Sequence, residues 1–76
     1  MRRDKLDILR DILVICSGGK VIKTHLIYRS KTNFQIVTRY LDWLLAHGFL
    51  LKKDKFYEIT PNGLDLLSNL NKFVST

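Results

Sequence analysis

Three segments have apolar residues recurring at steps of three and four, and a short polar turn separates the middle one from a short capped stretch before it. Two brief β-like runs with lysines between them precede the last segment. Together these observations predict a mainly α fold with a small β-hairpin, in the order helix, short strand, helix, turn, helix, hairpin, helix.

The first helix is expected over residues 4–16. Leu6, Leu9, Leu13 and Cys16 repeat at helical steps with Ile8, Ile12 and Ile15 beside them, so the apolar surface fills about half the circumference and must meet more than one neighbour. Acids near its start suit the helix dipole, and Ser17-Gly18-Gly19 stops it. Residues 20–23 are short and partly β-branched, room for one brief strand. Thr24 is the expected N-cap of a second helix running to about Arg29. Ser30-Lys31-Thr32-Asn33 then forms a polar turn. The third helix, over residues 33–47, is capped either by Thr32, with Gln35 completing a capping box, or by Asn33. Gly48 ends it. Residues 49–52 and 56–59 form a hairpin around Lys53-Asp54-Lys55 within a wing spanning 49–60. Thr60-Pro61 opens the last helix with a hydroxyl cap and a proline at the first helical position, and the helix runs to about Val74. A tight turn between two helices, followed at once by a basic hairpin, is the order of a winged helix-turn-helix.

Seventy-six residues are expected to form one domain, 1–76. So short a chain buries only about 60% of its unfolded surface, and a disulfide, a metal or a second subunit commonly supplements such a core. Cys16 is the only cysteine, so no disulfide closes within the chain. Cys16, His25 and His47 have no zinc-like spacing, and no metal or cofactor is expected. A partner subunit is the remaining option. The longest apolar run, residues 12–16, is far too short to span a bilayer, and Asp4, Asp7 and Asp11 interrupt any signal-peptide core. With a lone cysteine, a cytoplasmic protein is expected.

The charge is concentrated. Residues 20–55 hold eight basic side chains against Asp42 and Asp54, which equals the whole net charge of +6. A focused positive field suits a polyanion, most commonly nucleic acid. On the third helix, Val37, Leu41 and Leu44 share one side, flanked by Phe34, Tyr40 and Leu45, and are expected to be buried. Opposite lie Gln35, Arg39, Asp42 and Ala46, with Thr38 at the edge. Glutamine bonds adenine and arginine bonds guanine in a bidentate manner, so Asn33, Gln35, Thr38 and Arg39 are the expected base-reading residues. Lys20, Lys23, Arg29 and Lys31 around the second helix, with Lys52, Lys53 and Lys55 on the wing, are the expected phosphate contacts. An exposed helix face is also polar for solubility alone, and lysines also guard a hairpin edge; the position directly after a helix-turn-helix favours DNA. Asp4, Asp7 and Asp11 alternate with Arg3 and Arg10 as a solvated face, and no nucleophile has a matched base, so an enzyme or a small-molecule substrate is not expected. Trp43 lies with Ile36, Tyr40 and His47 between the buried and exposed faces, suited to packing on a neighbouring helix or to a protein interface.

Lys23-Thr24-His25-Leu26-Ile27-Tyr28-Arg29, then residues 40–50 from Tyr40-Leu41 to His47-Gly48-Phe49-Leu50, and finally Thr60-Pro61-Asn62-Gly63 through Leu67, keep the order and spacing of a known pattern. The chain resembles the small archaeal winged-helix proteins shared by some archaeal viruses. Their pattern runs K-T-x-I-x-Y-x, Y-L-x-x-L-x-x-x-G-L/F and T-x-x-G-x-x-x-L. The resemblance implies a double-stranded-DNA-binding transcription regulator or chromatin protein acting as a homodimer. Thr32 stands where that family usually has leucine. Some members extend the last helix into a coiled coil, and the expected dimer here is more compact. Leu9, Ile12 and Ile15 of the first helix and Leu66, Leu70 and Phe73 of the last are its expected interface. A protein-docking module and a non-specific architectural DNA-binding protein are the alternatives.

Overall fold

The computed structural model describes residues 5–74, and the side chains of residues 5–72. The elements are α1 (Lys5–Ser17), β1 (Val21–Ile22), α2 (Lys23–Ser30), α3 (Phe34–Ala46), β2 (Leu50–Lys53), β3 (Phe56–Ile59) and α4 (Pro61–Val74). The predicted order holds throughout. The expected helix start at Asp4 and the Phe73 side chain lie outside the described residues.

The predicted strand over 20–23 shrinks to two residues, and it joins the hairpin. The strands form one antiparallel sheet in the order β1-β3-β2, with Val21 opposite Tyr57 and Ile22 opposite Phe56. This pairing changes the start of α2. Thr24 was the expected N-cap, but the cap position is Ile22, extended at φ −99° and ψ 160°, with no side-chain cap bond. The sheet fixes Ile22 in extended backbone and the chain turns helical at the next residue, which puts Thr24 inside the first turn. The first N–H groups of α2 are left without a side-chain acceptor.

Asn33, one of the two expected caps, caps α3: its Oδ1 accepts from the Ile36 N–H at 2.9 Å. The Thr32 hydroxyl instead bonds that of buried Ser30 at 2.7 Å. At the far end Gly48, at φ 75°, turns the chain out of the helix, and Phe49 N–H returns to Leu44 O at 2.9 Å. The Thr60 hydroxyl donates to Gly48 O at 2.6 Å and accepts from the Gly63 N–H at 3.0 Å. One side chain thus ties the end of α3 to the start of α4.

Ile8, Ile12, Leu13 and Cys16 of α1 meet Leu26, Val37, Leu41, Leu44, Leu50, Tyr57 and Leu70 in a single core. The helices α1 and α4 pack against each other. Ile12 is 0% exposed and Leu70 5%, so the expectation that these two form a surface for a second copy is corrected. The broad apolar stripes of the terminal helices are satisfied largely within the chain. Asp7, Arg10 and Asp11 are half-buried rather than fully solvated, with Arg10 Nη2 3.7 Å from Asp11 Oδ1.

Candidate nucleic-acid interface

Burial of Val37, Leu41 and Leu44 turns the opposite side of α3 outward, leaving Gln35, Arg39, Asp42 and Ala46 exposed. Gln35 and Arg39 stand one helical turn apart, as the spacing requires. The other two expected base readers are placed differently. Asn33 is exposed, but its side-chain oxygen is committed to the helix cap. The Thr38 hydroxyl is buried, with no hydrogen-bond partner among the described residues. Thr38 therefore does not offer its hydroxyl to a base, and that expectation is corrected. The side chain lies on the buried edge of α3 rather than the open one.

The basic residues separate into groups. Lys23, Lys52 and Lys55 line one cleft of about 240 Å³ between the start of α2 and the wing, together with Ile22, Thr24 and Tyr57. Each of the three ammonium groups lies over an aromatic ring. Lys23 Nζ is 5.0 Å from the centre of Phe34, Lys52 Nζ 5.5 Å from Tyr57, and Lys55 Nζ 5.8 Å from Phe56. Such contacts contribute about 0.5–1 kcal/mol each at exposed sites. Their greater effect here is to hold long side chains over one opening, with no acid among the described residues that line it. The uncapped amino end of α2 opens onto the same cleft and adds its positive dipole. Lys53, opposite Phe56 in the hairpin register, points to the other face of the strand from Lys52 and does not line the cleft. Lys20 is exposed before β1, and Arg29 and Lys31 are exposed at the far end of α2. Lys31 has φ 57° and forms the C-cap of α2.

Two aromatic rings stand exposed beside the turn, and one of them, Phe34, was expected on the buried flank of α3. Phe34 is 60% exposed and Tyr28 84%. The helical wheel counted Phe34 with the buried flank because it treats all apolar residues alike. The signal available was its place one residue after the cap, where a side chain projects beyond the core.

On its other flank α3 faces the start of α1 across a groove of about 540 Å³, whose wall includes Ile36, Tyr40 and Trp43. The Trp43 ring stacks on His47 at 4.3 Å and meets Phe49 at 5.6 Å. His47 Nδ1 lies 2.9 Å from the Trp43 carbonyl. Trp43 is thus packed on the end of its own helix and on the residue before β2, and one part of it remains open to the groove.

The sequence model of a family described as winged helix-turn-helix matches residues 2–76. Two uncharacterised proteins of Methanocaldococcus jannaschii are similar. One is 30% identical over 69 residues, covering 91% of this chain and 71% of that protein. The other is 29% identical over 72 residues, covering 95% of this chain but only 34% of that protein. Among solved structures, the fold is similar to that of Sso10a-2, a DNA-binding protein from Sulfolobus solfataricus, with a TM-score of 0.88 and 34% identity. That match covers 96% of this chain and 80% of the other.

Proposed function

The chain belongs to the winged helix-turn-helix family, and on that premise we propose that it binds double-stranded DNA as a homodimeric regulator of transcription. The observation that carries this reading is the cleft of Lys23, Lys52 and Lys55, held over aromatic rings at the start of α3 and on the wing. In this reading α3 enters the major groove. Gln35 and Arg39 reach base edges, and the turn and wing straddle the backbone. The cleft takes a phosphate whose oxygens meet three ammonium groups and the amino end of α2. Lys20, Arg29, Lys31 and Lys53 contact further phosphates. The similarity to a DNA-binding protein at 34% identity supports the same conclusion. The dimer contact falls to what the terminal helices leave half-buried or exposed away from the groove between α1 and α3, namely Ile15 and Leu66 with Val14, while Leu9 lines that groove.

The test is anisotropy binding to a random-sequence duplex across a salt series. Affinity should fall steeply as salt rises, with a log–log slope of about −0.9 per neutralised phosphate. Replacing Lys23, Lys52 and Lys55 together with Gln should flatten that slope by roughly one phosphate. No binding at low salt by a folded protein overturns the reading, and an unchanged slope in the triple variant removes the cleft from it.

A further inference from the structure

The groove between α1 and α3 is set apart from the lysine cleft by its lining. Ile8 and Leu9 from α1 and Ile36 and Tyr40 from α3 form its inner wall. At its rim stand Leu6, 46% exposed, and Trp43, 44% exposed, two large apolar side chains left open to water. Among the described residues, the two charged ones that line it are Lys5 and Arg39, and both are cationic. A volume of about 540 Å³ is within the range of small-molecule sites, which combine an apolar body with a few polar groups that fix orientation.

We propose that this groove is a binding site for an amphiphilic anion, a molecule with an apolar chain or ring and one carboxylate-like head. The body covers Leu6, Leu9, Ile36 and Trp43, and the head pairs with Arg39, with Lys5 as the second cation. A neutral apolar molecule would leave both cations without a partner, and an amphiphilic cation would be repelled by them. The consequence for DNA rests on the reading given above. Arg39 is also the residue assigned to a base edge, so an occupied groove and a bound major groove compete for one guanidinium. The ligand then acts as a releasing effector, by differential affinity for the free and DNA-bound forms.

Trp43 is the only tryptophan, so its fluorescence reports the groove directly. The probes are decanoate, decanol and decyltrimethylammonium at matched concentration, with circular dichroism to exclude unfolding. Decanoate should shift the emission saturably and bind more tightly than the other two. Octanoate should bind on the order of tenfold more weakly than decanoate, from two fewer buried methylenes. Arg39→Gln, at an exposed position, should weaken decanoate about three- to tenfold, to the level of decanol. Saturating decanoate should weaken duplex binding by the wild type and leave that of Arg39→Gln unchanged.

Equal binding of the three probes overturns the anionic assignment. The absence of any shift overturns the site. If that absence accompanies a dimer that Leu6→Glu dissociates, a second copy is the occupant instead. A shift with unaltered duplex affinity overturns the competition. A shift in a protein that binds no duplex at all overturns the DNA reading and leaves the site standing.

Discussion

Lys31 occupies a left-handed backbone conformation at φ 57°, which costs a residue with a β-carbon about 1–2 kcal/mol relative to helical backbone. Glycine takes that conformation without the penalty but loses more chain entropy on folding. A lysine there places a cation at the turn between α2 and α3. Lys31→Gly is therefore expected to unfold in urea with stability unchanged or raised by up to about 1 kcal/mol, and to bind duplex DNA more weakly. A clear loss of stability would show that the lysine side chain supports the turn, and unaltered affinity would remove Lys31 from the phosphate contacts. Cys16 is a different case. Burial pushes its thiol up to about 12 from an ordinary 9.0, because a thiolate in the core is poorly solvated. The folded state therefore holds its proton at pH values where the unfolded chain has released it. Stability from this source is intact below about pH 9 and is lost as pH rises towards 12, on the order of 1 kcal/mol by pH 10. Urea titrations from pH 7 to 10 should show this decline, and Cys16→Ala should show a shallower one. At neutral pH the native thiol should resist thiol reagents until the protein unfolds.

At the scale of elements, the junction between α3, the hairpin and α4 depends on close approach. A β-carbon at Gly63 would lie 2.1 Å from Phe49 O and 2.6 Å from Ile59 Cγ1, and the first of these is backbone that cannot rotate aside. Gly63→Ala is expected to cost about 2–3 kcal/mol, at the upper end for overpacking. In a chain of this size that corresponds to a melting temperature lower by roughly 10 °C or more. A variant melting within a degree or two of wild type would mean that α4 can pivot away from Phe49. The same junction aims the wing. Thr60 N–H bonds Phe49 O at 3.1 Å while the Thr60 hydroxyl reaches Gly48 O, so the direction of the hairpin is tied to the end of α3. A shift of α4 should therefore also disturb the cleft that Lys52 and Lys55 form with Lys23.

Over the whole molecule, the Cα framework measures 36 × 26 × 20 Å. Successive half-sites on one face of a duplex are about 34–36 Å apart. Two copies set end to end along the 36 Å axis reach that spacing, whereas copies packed along either shorter axis fall short of it. Since α1 and α4 already pack on each other, in the proposed dimer the second copy meets the outer face of α1, with Leu66 of α4, rather than the core-facing stripe of α1. Val14 is exposed on that face. Val14→Asp is expected to give a folded monomer by sedimentation, with duplex affinity much reduced through loss of the second half-site. A dimer that survives this change places the contact elsewhere, and a wild-type protein that is monomeric at all concentrations removes the dimer.

The order of elements, the buried side of α3, the hydroxyl-and-proline start of α4 and the basic middle of the chain were all legible in the sequence. Each is set by local spacing or local chemistry: periodicity defines a face, and a cap needs only its neighbours. Four features were decided by tertiary structure. Ile22 became the start of α2 because it pairs with Phe56, more than thirty residues away. Thr38 lost its hydroxyl to the interior, although the wheel put it at the edge. Ile12 and Leu70 were claimed by their own core, because a helical stripe shows that a face will be buried but not against which surface. The three lysines of the cleft come from α2 and two parts of the wing, and no spacing along the chain brings them together. Sequence determines what each segment will hide and what it will show, and packing determines which shown groups share a site.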